Sequence, residues 1–129
     1  MSDPFVIYLD KNRTVSHDII LYQEDGGGLT LNANDKVRLK VFRRDASTPV
    51  LDIDSIGALT GGSLITVTNT ASAAMATVKF CQADLADILP GIWAAELSVV
   101  DSGDSNKIKI AGRGTVAIFG TGGGDIGAI

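Results

Sequence analysis

The chain has 129 residues, 45% of them hydrophobic and 20% charged, which fits one globular domain and excludes a disordered polymer. Fifteen acidic residues against eleven basic ones leave a formal net charge of −4; this argues against nucleic acid as a partner, because gripping a phosphate backbone needs clustered Lys and Arg. Cys81 is the only cysteine, which excludes an intrachain disulfide, and no apolar run approaches the roughly 18 residues of a membrane span.

Residues 1–4 lack the basic-then-apolar layout of a signal peptide, so the chain reads as a complete soluble product made in the cytoplasm. Two-residue alternation then dominates, with turn signals every 8–15 residues, the spacing of an all-β sandwich or barrel. Residues 5–9 read as a short edge or entry strand after Pro4. Residues 14–23 read as a strand with Val15, His17, Ile19 and Leu21 on one face; its other face is mixed, which predicts partial cover on both sides. A Gly-rich loop at 24–28 precedes a brief pairing at 29–31 and a turn at 32–35.

Residues 36–43 form the clearest strand, with Val37, Leu39 and Val41 inward and Lys36, Arg38 and Lys40 toward water. Its bases therefore read as a solvated face rather than a nucleic-acid patch. A turn at 45–49 leads to a strand at 50–56 and a second Gly-rich connection at 57–62. Residues 64–68 and 76–80 read as a hairpin around a small-residue loop at 70–74. Residues 82–89 are the one helical segment, ended by Pro90. The next strand places Trp93, Ala95, Leu97 and Val99 on one face, with Trp93 as the largest single piece of the core. A polar hairpin loop at 101–104 leads to a return strand at 107–110 and a last strand at 113–119. Residues 120–129 read as a flexible Gly-rich tail, leaving one β-sandwich domain over 1–119.

No catalytic or ligand-binding constellation emerges. His17 is the only histidine and sits in mid-strand, away from the loops where catalytic groups concentrate. Cys81 reads as a small hydrophobe at the core margin, and one Cys with one His cannot close a zinc site. Asp52 and Asp54, and the pair Asp101 and Asp104, lack the regular oxygen spacing of a calcium loop. The glycine clusters lack the strand, helix and Lys-Ser/Thr context of a phosphate cradle. Catalytic, cofactor-binding and metal-binding residues are accordingly expected to be none.

Leu29 and Leu31, the basic strand 37–42, the run Leu89-Pro90-Gly91-Ile92-Trp93, the apolar strand 97–99, the Asp/Gly turn 101–104, and Gly114, Val116 and Ile118 occur in one order. That order resembles the small immunoglobulin-like domain in structural proteins of tailed bacteriophages, notably the N-terminal domain of upper baseplate proteins. The resemblance implies an all-β, immunoglobulin-like antiparallel β-sandwich of about seven or eight strands, with one short helix before Pro90. Members of that family continue into a long receptor-binding or adaptor region, whereas this chain ends ten residues after its last strand. What it implies is a free-standing, non-enzymatic virion component: a baseplate, tail or fibre-adaptor subunit, or a capsid decoration protein. Its partners would be other virion proteins and further copies of itself. The contact residues expected from exposed or terminal apolar positions are Phe5, Ile7, Phe42, Ile126 and Ile129. A carbohydrate- or cell-surface-binding module is the competing expectation, with Tyr8, Tyr22 and Phe42 as the aromatics available for stacking.

Overall fold

A computed structural model of the chain describes residues 5–22, 27–31, 35–43, 48–69, 73–86, 88–101, 103 and 107–120. Eight strands and one helical turn follow one another as β1 (Phe5–Asp10), β2 (Val15–Ile20), β3 (Lys36–Phe42), β4 (Leu51–Asp54), β5 (Leu64–Asn69), β6 (Ala74–Phe80), α1 (Gln82–Leu85), β7 (Gly91–Val100) and β8 (Ile108–Phe119). They build two sheets, β1-β8-β7-β3-β4 and β2-β6-β5. All pairings are antiparallel except that of β1 with β8, which run side by side in the same direction. This is an immunoglobulin-like sandwich whose first strand has joined the last on the larger sheet.

The core lies between the sheets and is aliphatic. In β3 the inner residues Val37, Leu39 and Val41 are wholly buried, and the pattern alternates without exception. The hairpin of β5 and β6 forms with Leu64 opposite Lys79 and Thr68 opposite Met75; its inner residues Ile65, Ala76, Val78 and Phe80 are buried. Phe80, the last residue of β6, is the largest of the fully enclosed side chains. Trp93 is buried too but keeps 9% of its surface, because its indole Nε1 reaches out to donate to the Leu89 carbonyl at 3.1 Å. That bond ties the Pro90-Gly91 break to the start of β7.

Four sequence expectations change. The helical segment stops at Leu85 instead of reaching residue 89. One turn is too short to stand without packing, and the residue before a proline avoids the helical region. Leu85 and Ile88 are buried while Leu89 is 74% exposed. The outer side chains of β2 (Ser16, Asp18 and Ile20) are exposed rather than partly covered. The strands expected at 107–110 and 113–119 are one continuous strand, β8, broken by a bulge. Leu97 pairs with Gly112 but Ser98 with Ile110, so Ala111 is the extra residue, and it turns inward (3% exposed). Finally, Ile7 is 2% exposed and belongs to the core.

Candidate docking surface

Strand alternation sorts the outer face of the five-stranded sheet into cross-strand rows. One row runs Tyr8, Ala117, Ile92, and the next Val6, Thr115, Ala94, Phe42. Val6 is 55%, Tyr8 64%, Ile92 65% and Phe119 46% exposed. Together these four uncover on the order of 400 Å² of apolar surface, the size at which a contiguous patch marks an interaction site. The outer face of the smaller sheet differs. Two of its rows, Ser16 with Lys79 and Leu64, and Asp18 with Thr77 and Thr66, are mostly polar, a third joins Ile20 to Met75 and Thr68, and Thr77 donates its hydroxyl to Asp18 at 2.7 Å.

Beyond the apolar rows the larger sheet carries a ladder of alternating charge: Arg113, Glu96, Lys40, Asp52. Arg113 Nε lies 3.5 Å from Glu96 Oε2, and Lys36 Nζ lies 3.7 Å from Asp54 Oδ2. Arg38 grips Asp52 in two-pronged fashion, Nε to Oδ1 at 2.6 Å and Nη2 to Oδ2. That bond holds the Asp52 carboxyl below the usual carboxylate range, against the opposing effect of burial. Burial pushes Asp54 up, but the Gly57 and Ile56 amides and Lys36 together outweigh it and lower its pKa.

The expected contact residues scatter. Phe42 lies on this face, half-buried. Phe5 turns its ring inward against the core, beside Gly112 and Gly114. Ile7 is in the core and offers no surface, so the segment presents Val6 and Tyr8 instead. Ile126 and Ile129 lie outside the described residues. Ile92 was legible from alternation beside the inward Trp93, while Val6 and Tyr8 follow only once the structure turns Ile7 inward. Phe119 follows in the same way from Ile118.

The remaining candidates stay apart. The His17 ring faces the Tyr8 carbonyl at 3.2 Å and the edge of Phe80. Cys81 is buried ahead of α1, its amide bonded to Ser63 Oγ at 2.8 Å. Asp101 accepts the Gly103 amide at 2.7 Å in its own turn; Asp104 lies outside the described residues. Among the described residues no three His, Cys, Asp or Glu side chains converge, and no helix is long and apolar enough to cross a membrane. A groove of about 290 Å³ opens between β1 and β2, with Phe5, His17, Ile19 and Tyr22 on its walls.

No family model matches the chain, and a comparison with curated proteins found none that matches it.

Proposed function

We propose that the protein is a non-enzymatic structural subunit of a bacteriophage particle, a baseplate, tail or fibre-adaptor component that works by protein–protein assembly. The observation that carries the assembly half of this reading is the outer face of the five-stranded sheet. It presents Val6, Tyr8, Ile92 and Phe119 side by side to solvent, on a rigid sheet bordered by paired charges. A surface of that kind gains by being covered, through apolar burial at its centre and charge matching at its rim. The phage context comes from the ordered motifs ending in Gly114, Val116 and Ile118, whose strand joins β1 and β7 as the last strand of the sandwich.

The test is to purify particles from cells carrying the gene, then quantify the chain by mass spectrometry and locate it by antibody labelling under the electron microscope. A fixed, stoichiometric copy number at one particle region is the expected result. A chain found only in the soluble fraction rejects the reading.

A further inference from the structure

We infer that the free edge of β5 pairs with β5 of a second copy of this chain, antiparallel and about a two-fold axis at Val67. The pairing joins two three-stranded sheets into one continuous sheet. This contact lies on the smaller sheet and stands independently of the particle reading above.

The two sheets end in four edge strands, β1 and β4 on the larger, β2 and β5 on the smaller. Three of these carry the devices that keep further strands from adding to an edge. β1 and β2 guard each other, with His17 Nε2 of β2 lying 3.2 Å from the Tyr8 carbonyl of β1. Farther along β1, the Asp10 carbonyl accepts the Arg13 amide at 3.0 Å, and beyond the end of β2 Tyr22 is bridged by Gly28. β4 is only 4 residues long, and Asp52 and Asp54 are two of them. β5 has no such guard. Its 6 residues hold no charge and no proline, and its register with β6 runs without a bulge. Among the described residues no strand pairs with its other side.

The direction of each backbone group follows from β6. The Ala74 carbonyl accepts the Leu21 amide at 2.9 Å, and the Ala74 amide donates to the Leu29 carbonyl at 2.8 Å, so Ala74 bonds toward β2. Successive residues of a strand bond to alternate sides. Met75, Thr77 and Lys79 therefore bond toward β5, to Thr68, Thr66 and Leu64. Ile65, Val67 and Asn69 are left with amides and carbonyls that point off the free edge.

The sequence of β5 selects a second copy as the occupant. Thr66-Val67-Thr68 reads the same in both directions, so an antiparallel copy centred on Val67 meets like with like. Val67 pairs with Val67, and Ile65 of each copy with Asn69 of the other, each pair exchanging both of its bonds; every group left free on the edge is then used. Between them Thr66 of one copy lies opposite Thr68 of the other, a favourable cross-strand pair. Val67, only half-buried against the core, is covered further. The chain has a net charge of −4, which sets copies against each other along most approaches, and β5 offers one without a charge. An unrelated strand finds the same backbone groups but no matching order of side chains to fix its register. Two-fold pairing consumes both β5 edges, and the other edges are guarded, so association closes at two copies.

Sedimentation of the full chain between about 1 and about 500 µM tests the pairing, a range that brackets a weak specific contact. The expected result is a mass that rises from one chain toward two and stops there, with hydrogen exchange slowing at the Ile65, Val67 and Asn69 amides over the same range. Val67→Pro removes the central donor; its amide faces away from β6, so the hairpin keeps its own bonds and the variant stays folded by circular dichroism. It weakens association by at least ~10-fold. Thr66 and Thr68 are exposed, and a variant carrying Thr66→Lys with Thr68→Lys sets like charges opposite each other, as does one carrying Thr66→Glu with Thr68→Glu. Each double variant stays single alone, and an equimolar mixture of the two restores the pair, because Lys then faces Glu. Tyr8→Ser, on the outer face of the larger sheet, leaves association unchanged. A wild-type chain that stays single at about 500 µM overturns the proposal. So does a pair that survives in folded Val67→Pro, or double variants that associate as well alone as when mixed.

Discussion

Gly114 lies where the first residue of β1 passes closest to β8. A Cβ there would overlap the Phe5 carbonyl oxygen and crowd its ring, whereas at Gly112 the same added carbon meets the ring at an ordinary 3.5 Å. Gly114→Ala is therefore expected to cost about 1–3 kcal/mol through forced displacement of β1. Gly112→Ala, which lowers the entropy of the unfolded chain, should cost little or nothing. Urea unfolding of the two variants side by side checks the contrast. Asp84 holds a second close approach of the chain. It accepts the Gly61 amide at 2.8 Å and the Ser63 amide at 2.9 Å, tying α1 to the connection before β5. Burial pushes its carboxyl up, but the Ser63 hydroxyl and these two amides together draw it below its ordinary value. Asp84→Ala leaves both amides without their acceptor and is expected to cost about 1–3 kcal/mol, read as a lower unfolding midpoint.

At the scale of one element, β8 shows how a bulge keeps a long strand in register. Ile110 faces out, Ala111 in, and Gly112 in again, so the bulge resets the alternation in time to aim Val116 and Ile118 at the core. Deleting Ala111 makes Ile110 and Gly112 consecutive and leaves every other residue on its present face. Deleting Thr115 instead turns residues on one side of the deletion to the wrong face. The Ala111 deletion is expected to fold with a lower midpoint and the Thr115 deletion to lose cooperative unfolding, as followed by circular dichroism. This is also where sequence reading reached its limit. The small pair Ala111-Gly112 interrupts the alternation between 107 and 113, and a bulge looks like a break when only the pattern is visible. The helical segment misled for a related reason. Ile88 and Leu89 keep helical spacing from Leu85, yet a single turn is held by what it packs on, and only Leu85 and Ile88 find the core.

Over the whole molecule, three carboxylates couple stability to acidity. Asp52, Asp54 and Asp84 all titrate below their ordinary value of 3.8, so the folded state binds their protons less readily than the unfolded chain does. Their contribution is complete well above that value and is lost as pH falls through the lowered folded values. The urea midpoint is thus expected to hold between pH 7 and pH 5 and to fall below pH 4. Asp52→Asn, with the Arg38 ion pair gone, should flatten that acid dependence. Composition and period-two patterning determined the fold class, the core strands β3, β5, β6 and β7, and the inward set Trp93, Ala95, Leu97 and Val99, because burial on a sheet is a local, alternating property. The same alternation made Ile92 readable as outward beside Trp93, whereas the all-apolar run 5–9 left open which of its faces turns in. Only the tertiary structure decided that Val6, Tyr8 and Ile92 sit together, that β1 runs alongside β8, and that Phe80 rather than Trp93 is the largest fully enclosed side chain. Which strands become neighbours depends on contacts between residues far apart in the chain, and no local pattern carries that information.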